Sequence, residues 1–259
     1  MHWTRCALTF LLLGFAQQYA IAEKFASIII DDIGNNFERG KEVIDFPASV
    51  TLSILPRTTF SRQLAELAHK KHKEVMLHLP LQSIENRPET PGTLTLHMTH
   101  LQFAKQLRLD IASVPYIKGI NNHMGSLLTQ HPGYMDWLMS AISTKHSLFF
   151  IDSRTTKKSV AAEIATEHGI PNLSRDVFLD PNASLTALKH QFERLIEIAN
   201  KKGFAIAIAH PHPRTLQFLK VHLADLKKHG ISIVPVSTLL LKERSRQNVS
   251  CIGATCTGV

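Results

Sequence analysis

Short apolar runs recur along the chain, separated by longer amphipathic stretches. Phe25-Ala26-Ser27-Ile28-Ile29-Ile30 is β-branched and nearly continuous, the pattern of a strand buried on both faces. Comparable runs lie at Ser49–Leu55, Glu74–Leu79, Leu148–Ile151, Phe204–Ala209 and Ile231–Val236. Between them, apolar residues fall at helical spacing. Phe60–Lys71 carries Leu64, Ala65, Leu67 and Ala68 in this way, and Leu101–Val114, Gly133–Lys145 and Leu185–Lys201 repeat the pattern. Leu216–His229 stops before Gly230, which supplies a helix end. Strands alternating with helices predict βα units around a parallel sheet. About seven such units predict a closed or nearly closed α/β barrel, with a doubly wound open sheet as the alternative. Ile84–Thr95, with Pro88 and Pro91, reads as a long loop. The barrel domain is expected over residues 23–242, and residues 243–259 read as a flexible polar tail.

The N-terminus changes the setting. Arg5 precedes an apolar run from Cys6 to Ala16, and Ala20-Ile21-Ala22 offers the small-x-small pattern of signal cleavage. The run is shorter than the roughly 20 residues needed to cross a bilayer core. Residues 1–22 are therefore read as a signal peptide cleaved after Ala22, giving a secreted or periplasmic protein with no transmembrane segment left. Removing them from 259 residues leaves 237 and, with Arg5 gone, lowers the formal charge from +8 to +7. That length suits one barrel of roughly 200–250 residues. An apolar content of 44% and a charged content of 19% fit a globular chain and exclude a disordered one. The basic residues are dispersed, and clusters such as Lys70-Lys71 and Lys157-Lys158 are short. No stripe or module points to nucleic acid, and a basic surface is compatible with anionic envelope polymers. Cys251 and Cys256 remain after cleavage. They offer a local disulfide in an oxidising compartment, and two cysteines alone make no zinc site.

Parallel α/β folds bind ligands at the carboxyl ends of their strands. Here those ends deliver Asp31-Asp32, His78, His123, Asp152 with Arg154, and His210 with His212. A single Asp after a strand is commonly a helix cap, and a single His is commonly structural. The same chemistry at five strand ends points instead to a divalent metal with an open position. Ser126 lacks the G-x-S-x-G elbow of a serine hydrolase, and no dinucleotide or phosphate-loop glycine pattern is present. His69 and His72 lie at the other end of the strands, which argues against ligation. Arg175 and Asp176 read either as a surface pair or as groups reaching the site, and His212 as a supporting group or an alternative acid.

Ile28-Ile29-Ile30-Asp31-Asp32-Ile33-Gly34 resembles the T-F-D-D-G motif of NodB-type polysaccharide deacetylases, and His72–Pro80 resembles the opening of their second motif. Leu77-His78-Leu79-Pro80, Gly119–Ser126, Phe150-Ile151-Asp152-Ser153-Arg154, Val177-Phe178-Leu179-Asp180 and Ala209-His210-Pro211-His212-Pro213 resemble the divergent, YibQ-like branch of that family. The order of these motifs, from about Ala26 to Thr238, makes the resemblance specific. It implies a distorted (β/α) barrel with about seven parallel strands. It also implies a hydrolase that removes N- or O-acetyl groups from an envelope polysaccharide, peptidoglycan or a related amino-sugar polymer, with a divalent metal, foremost zinc. Residue by residue, it makes Asp31 the general base and Asp32 and His78 metal ligands. Gln82 stands where the family has a second metal histidine, so His123 is inferred as the replacement. His210 matches the acid histidine, with Asp152 or Arg154 tuning it. The R-x-P-Y motif is absent, Asn121-Asn122-His123 occupying its place. Two further readings stay open: a non-catalytic envelope protein that binds glycan or protein, and a metal hydrolase acting on esters.

Overall fold

The Ile28-Ile29-Ile30 run forms the middle of β1 (Lys24–Ile33), whose β-branched residues pack on both faces. The computed structural model describes residues 23–85, 90–144, 148–182 and 184–253. The signal reading of residues 1–22 lies outside these, as do Cys256 and the side chain of Cys251. After β1 come α1 (Phe37–Ile44), β2 (Thr51–Ile54), α2 (Ser61–Lys70), β3 (Glu74–Leu81), α3 (His100–Ser113), β4 (Ile117–Met124), α4 (Pro132–Ser143), β5 (Phe149–Asp152) and α5 (Ala161–Glu167). They are followed by β6 (Asn172–Ser174), β7 (Val177–Phe178), α6 (Leu185–Lys202), β8 (Phe204–Ala209), α7 (Pro213–His222), α8 (Asp225–Lys228), β9 (Ile231–Ile233) and α9 (Val236–Gly253). Local chemistry sets several ends. Thr99 and Gln102 form a reciprocal capping box on α3, and Ser184 caps α6. Gly203 closes α6 at φ +87°, a conformation that costs glycine little.

Every strand pair is parallel, and the path runs β6-β5-β4-β3-β2-β1-β8-β7, with β9 beside the start of β1. Only Arg175-Asp176 separates β6 from β7. Arg175 N donates to Asp152 O of β5, and Asp176 N donates to Ile206 O of β8. One broken strand therefore touches both ends of the path. Taking β6 and β7 as that single strand, and β9 apart, the ring has seven strands. From β1 to β5 the strands stand in chain order, without the reversal of a doubly wound sheet, so the distorted (β/α) barrel replaces the open-sheet alternative.

Strand alternation divides the core. Ile28, Ile30, Leu52, Leu77 and Phe150 face the helices, packing with Leu64, Phe103, Leu138 and Leu195. Ile29, Met76, Ile151, Ile206 and Ile208 fill the barrel, plugged from below by Val236 and Leu239 of α9. Two residues further along each strand, the inward position becomes polar: Asp31 after Ile29, His78 after Met76, Ser153 after Ile151, His210 after Ile208. The fold thus sets an apolar floor under a polar layer at the carboxyl end.

At the opposite end, Glu74 accepts Thr51 Oγ1 at 2.9 Å and Ser237 N at 3.2 Å, so one carboxylate joins β2, β3 and the first turn of α9. Glu74→Ala should cost about 1 kcal/mol, the usual size of a lost helix N-terminal acceptor, read as a lower urea midpoint with unchanged slope. α9 runs past Lys242, where the polar tail is expected to begin, to Gly253, and residues 254–259 lie outside the described residues. Lys242 and Arg246 both lie over the Phe25 ring, and Arg246 pairs with Glu243 at 2.8 Å, contacts that hold this polar stretch as helix.

Candidate functional site

Adjacent strand residues point to opposite faces, so Asp31 and Asp32 can share a site only if the backbone turns between them. It does. The β1–β2 register shifts between Ile30 and Ile33, and Asp32 adopts φ +57°. Asp tolerates this left-handed region better than most residues. Met124, the last residue of β4, and Arg154 after β5 are also left-handed, so three strand ends break in the same manner. Gly34 lets the chain after the pair pass close to β2's loop, where a Cβ would stand 2.2 Å from Thr58 Oγ1.

Asn121 is the hub of the polar layer. Its Nδ2 donates to Asp31 Oδ1 at 2.9 Å and to Ser153 Oγ at 3.2 Å. Its Oδ1 accepts Ser53 Oγ at 2.5 Å and faces His78 Nδ1 at 3.0 Å. With the amide so oriented, His78 carries its hydrogen on Nδ1 and turns a lone pair on Nε2 into the site. That Nε2 lies 3.3 Å from Asp32 Oδ1, 3.5 Å from Asp31 Oδ2 and 3.2 Å from His123 Nδ1. His123 Nδ1 in turn lies 2.9 Å from Asp32 Oδ1, while its Nε2 faces Thr90 Oγ1 at 3.3 Å.

The structure thus brings Asp32, His78 and His123 together as one group able to hold a metal ion. The donor set of one carboxylate and two imidazoles suits a catalytic zinc-like centre. Asp32 Oδ1 is buried yet makes no well-directed hydrogen bond among the described residues, which leaves it available to a cation at the shared vertex. Burial works against ionisation of Asp32, but the imidazoles of His123 and His78 outweigh it and hold the carboxyl well below its usual range. Burial likewise works against a charged His78, but the carboxylates of Asp31 and Asp32 raise its pKa. The cluster therefore favours positive charge, a proton or a metal. Because the two compete, zinc affinity should fall about tenfold per pH unit once His78 protonates, at a higher pH than for a free imidazole. Chelator competition between pH 8 and pH 6 measures this.

Gln82, in the place of the family's second metal histidine, points elsewhere. Its Oε1 accepts Leu96 N at 2.8 Å, and its carbonyl accepts Leu127 N and Leu128 N at 3.2 and 3.1 Å. It ties down the loops after β3 and β4.

His210 closes the other side. Its Nδ1 lies 3.0 Å from Asp180 Oδ1, and its Nε2 lies 3.7 Å from Asp32 Oδ2. The buried Asp180 also accepts His210 N at 2.9 Å and Thr215 Oγ1 at 3.0 Å. Burial pulls the imidazolium down, but Asp180, Asp31 and Asp32 outweigh it and push its pKa to about 9. The tuning role given to Asp152 or Arg154 is thereby corrected. Asp152 follows the inward-facing Ile151, so alternation turns it outward, and its Oδ1 accepts Arg154 N at 2.8 Å. The Arg154 side chain is exposed, and no described hydrogen bond or ion pair links either residue to His210. Asp180 ends the apolar run Val177-Phe178-Leu179, the same signal that marked the other strand ends.

Arg175 and Asp176 do not pair. Arg175 donates to Ser153 O and Arg154 O at 2.7 and 2.9 Å and lies over Phe178, whose ring meets His210 edge-on. Asp176 accepts Ile206 N at 2.9 Å. His212 is exposed at the start of α7 and forms a second possible metal group with Asp180 and His210, but Asp180's oxygens are already bonded. His69 stacks on Tyr116, away from the strand ends. No helix among the described residues is long and apolar enough to cross a membrane.

Residues 28–240 match the family of divergent polysaccharide deacetylases. Protein YibQ of Escherichia coli is 34% identical over 236 residues, 91% of this chain and 73% of that protein. The crystal structure of protein ATU2773 from Agrobacterium tumefaciens shares the fold at TM-score 0.80 and 22% identity, covering 85% of this chain and 90% of its own. BA3943 of Bacillus anthracis, described as a CE4 family pseudoenzyme, shares it at TM-score 0.50 and 15% identity over 84% of this chain and 66% of its own. The two structures bear on fold alone, whereas the sequence match spans strand ends β1 to β8 and every residue of the site. The chain belongs to the divergent polysaccharide deacetylase family.

Proposed function

We propose that this protein is an exported, metal-dependent hydrolase that removes acetyl groups from an amino-sugar polymer of the cell envelope, peptidoglycan being the leading substrate. The observation that carries the reading is the placement of Asp31, the Asp32–His78–His123 group and His210 around one strand-end cleft. A divalent cation held by Asp32, His78 and His123, zinc foremost, would polarise an acetyl carbonyl and bring the pKa of water there to about 7. Asp31, fixed by Asn121 with Oδ2 toward the cluster, takes a proton from the attacking water. His210, held by Asp180 through Nδ1, is protonated at neutral pH and hands its Nε2 proton to the departing amine or alcohol. Water oxygen joins the acetyl carbon, the carbon–nitrogen or carbon–oxygen bond breaks, and acetate leaves. The floor of Ile29, Met76, Ile151 and Ile208 keeps water from the rear of the cleft.

Zinc-loaded protein should release acetate from peptidoglycan or chitooligosaccharides, and Asp31→Asn should lower the rate by about 10²–10⁴ while zinc stays bound. No release from either substrate by the wild-type protein would sink the reading. Export belongs to the same proposal, and the mature periplasmic chain should begin at Glu23 by N-terminal sequencing.

A further inference from the structure

The segment His210-Pro211-His212-Pro213 puts two imidazoles at one strand end, and the proposed reaction uses only the first. Pro211 and Pro213 fix the backbone on either side of His212, and His212 N donates to His210 O at 2.8 Å. This tight turn leaves the two rings 5.7 Å apart, centre to centre. His212 is exposed, and its ring caps no backbone group of α7. Asp180 completes the group, and its existing bonds do not close it. His210 N and Thr215 Oγ1 donate to Oδ2, at 2.9 and 3.0 Å, and so brace the carboxylate. Among the described residues Oδ1 meets only His210 Nδ1, at 3.0 Å. One ligand atom from each of Asp180, His210 and His212 lies within 4.8 Å of the other two. Tetrahedral zinc, with ligands at about 2.1 Å, holds them roughly 3.4 Å apart. The Asp180–His210 pair is therefore already close to ligand spacing, and the exposed His212 can turn to supply the third atom. A cavity of about 160 Å³ borders His210 and His212 and leaves room for water at the open position. Arg39, also on its wall, is exposed, so water and salt screen its charge.

We propose that Asp180, His210 and His212 form a second, weaker divalent-metal site that switches the reaction off. The ion takes the place of the Nδ1 hydrogen of His210, which leaves to water as a proton. His210 then keeps one hydrogen, on Nε2, and a ring with no second hydrogen yields it too reluctantly to act as an acid near neutral pH. Two effects make this site the weaker one. A hydrogen-bonded proton must leave first, and an ion held by Asp32, His78 and His123 repels a second one nearby. The site itself stands on its geometry, and its inhibitory consequence rests on the deacetylase reading.

Zinc alone is the probe. Calorimetric titration of the metal-free mature chain should show a tight event and a second one at least about tenfold weaker. His212→Ala, a change at an exposed side chain, should lose the weak event and bind one zinc fewer. Acetate release, followed through the same titration, should rise with the tight event and fall by about 10²–10⁴-fold as the weak one saturates, the contribution of a general acid. In His212→Ala excess zinc should no longer lower the rate. A single event in the wild-type protein, or a weak event that survives His212→Ala, would overturn the site. Release that holds steady through the weak event overturns the switch and leaves the deacetylase reading standing. A weak event lost in His212→Ala, in a protein that releases no acetate at any zinc level, supports the site and removes the reading.

Discussion

His123→Ala is expected to weaken zinc binding by about 10²–10³-fold and to reduce acetate release in step. A protein zinc site gathers roughly 10–16 kcal/mol from its full set of ligands, so removing one of three protein donors costs several kcal/mol. The side chain is well placed for this test. It is mostly buried, it contributes no bond to the Asn121 hub, and its ring nitrogen is the closest one to Asp32 Oδ1, at 2.9 Å. The informative contrast is Gln82→Ala. Gln82 occupies the position where the family carries a metal histidine, yet its amide holds Leu96 N. That substitution should leave zinc affinity within about twofold and act on stability, at roughly 1 kcal/mol for one lost hydrogen bond. Metal content after dialysis against a competing chelator reads both. Wild-type zinc affinity in His123→Ala would show that the ion is held elsewhere.

The contrast between these residues marks what the sequence could and could not supply. The apolar runs gave β1, β2, β3, β5 and β8 because a strand covered on both faces is apolar along most of its length. Asn172-Leu173-Ser174 carries no such run, and Val177-Phe178-Leu179 is only three residues long. They are strands only because β5 and β8 pair with them, and that long-range pairing also closes the barrel. The same distinction holds in the site. That Asp31 and Asp32 require a turn follows from strand geometry, but that Asp32 takes it at φ +57° does not. His123 could be chosen because it lies at another strand end. Asn121 itself, with bonds to Asp31, Ser53, His78 and Ser153, carries no motif that announces a hub. Asp152 was the expected partner of His210 through its place in the motif order, but alternation after Ile151 turns it away. Asp180 is brought to His210 by the pairing of Phe178 with Ile208, a contact between residues distant in the chain.

Asp180→Asn carries the second large effect. In the wild-type protein, Asp180 accepts the Nδ1 hydrogen of His210, which keeps the ring charged and aims the Nε2 hydrogen at the cleft. An asparagine can present its amide hydrogens to Nδ1 instead, which favours the other tautomer and removes the charge that raises the imidazole above its ordinary range. The pKa of about 9 then falls, because burial, which opposes the charged ring, is no longer outweighed to the same extent. The sign follows directly. The acid form is populated below the pKa, so wild-type acetate release should hold through neutral pH and fail on the alkaline side near 9, while in Asp180→Asn the failing limb moves toward neutral pH. At neutral pH and saturating substrate the rate should drop by about 10²–10⁴, the range seen when a buried carboxylate orienting a catalytic imidazole is neutralised. A purely structural role would also lower activity, through the lost bonds to His210 N and Thr215 Oγ1, but it would not move the pH limb. Asp152→Asn supplies the control, because its carboxylate bonds Arg154 N and should leave the limb where it is. If the alkaline limb stays fixed in Asp180→Asn and shifts in Asp152→Asn, the assignment of the two acids is reversed.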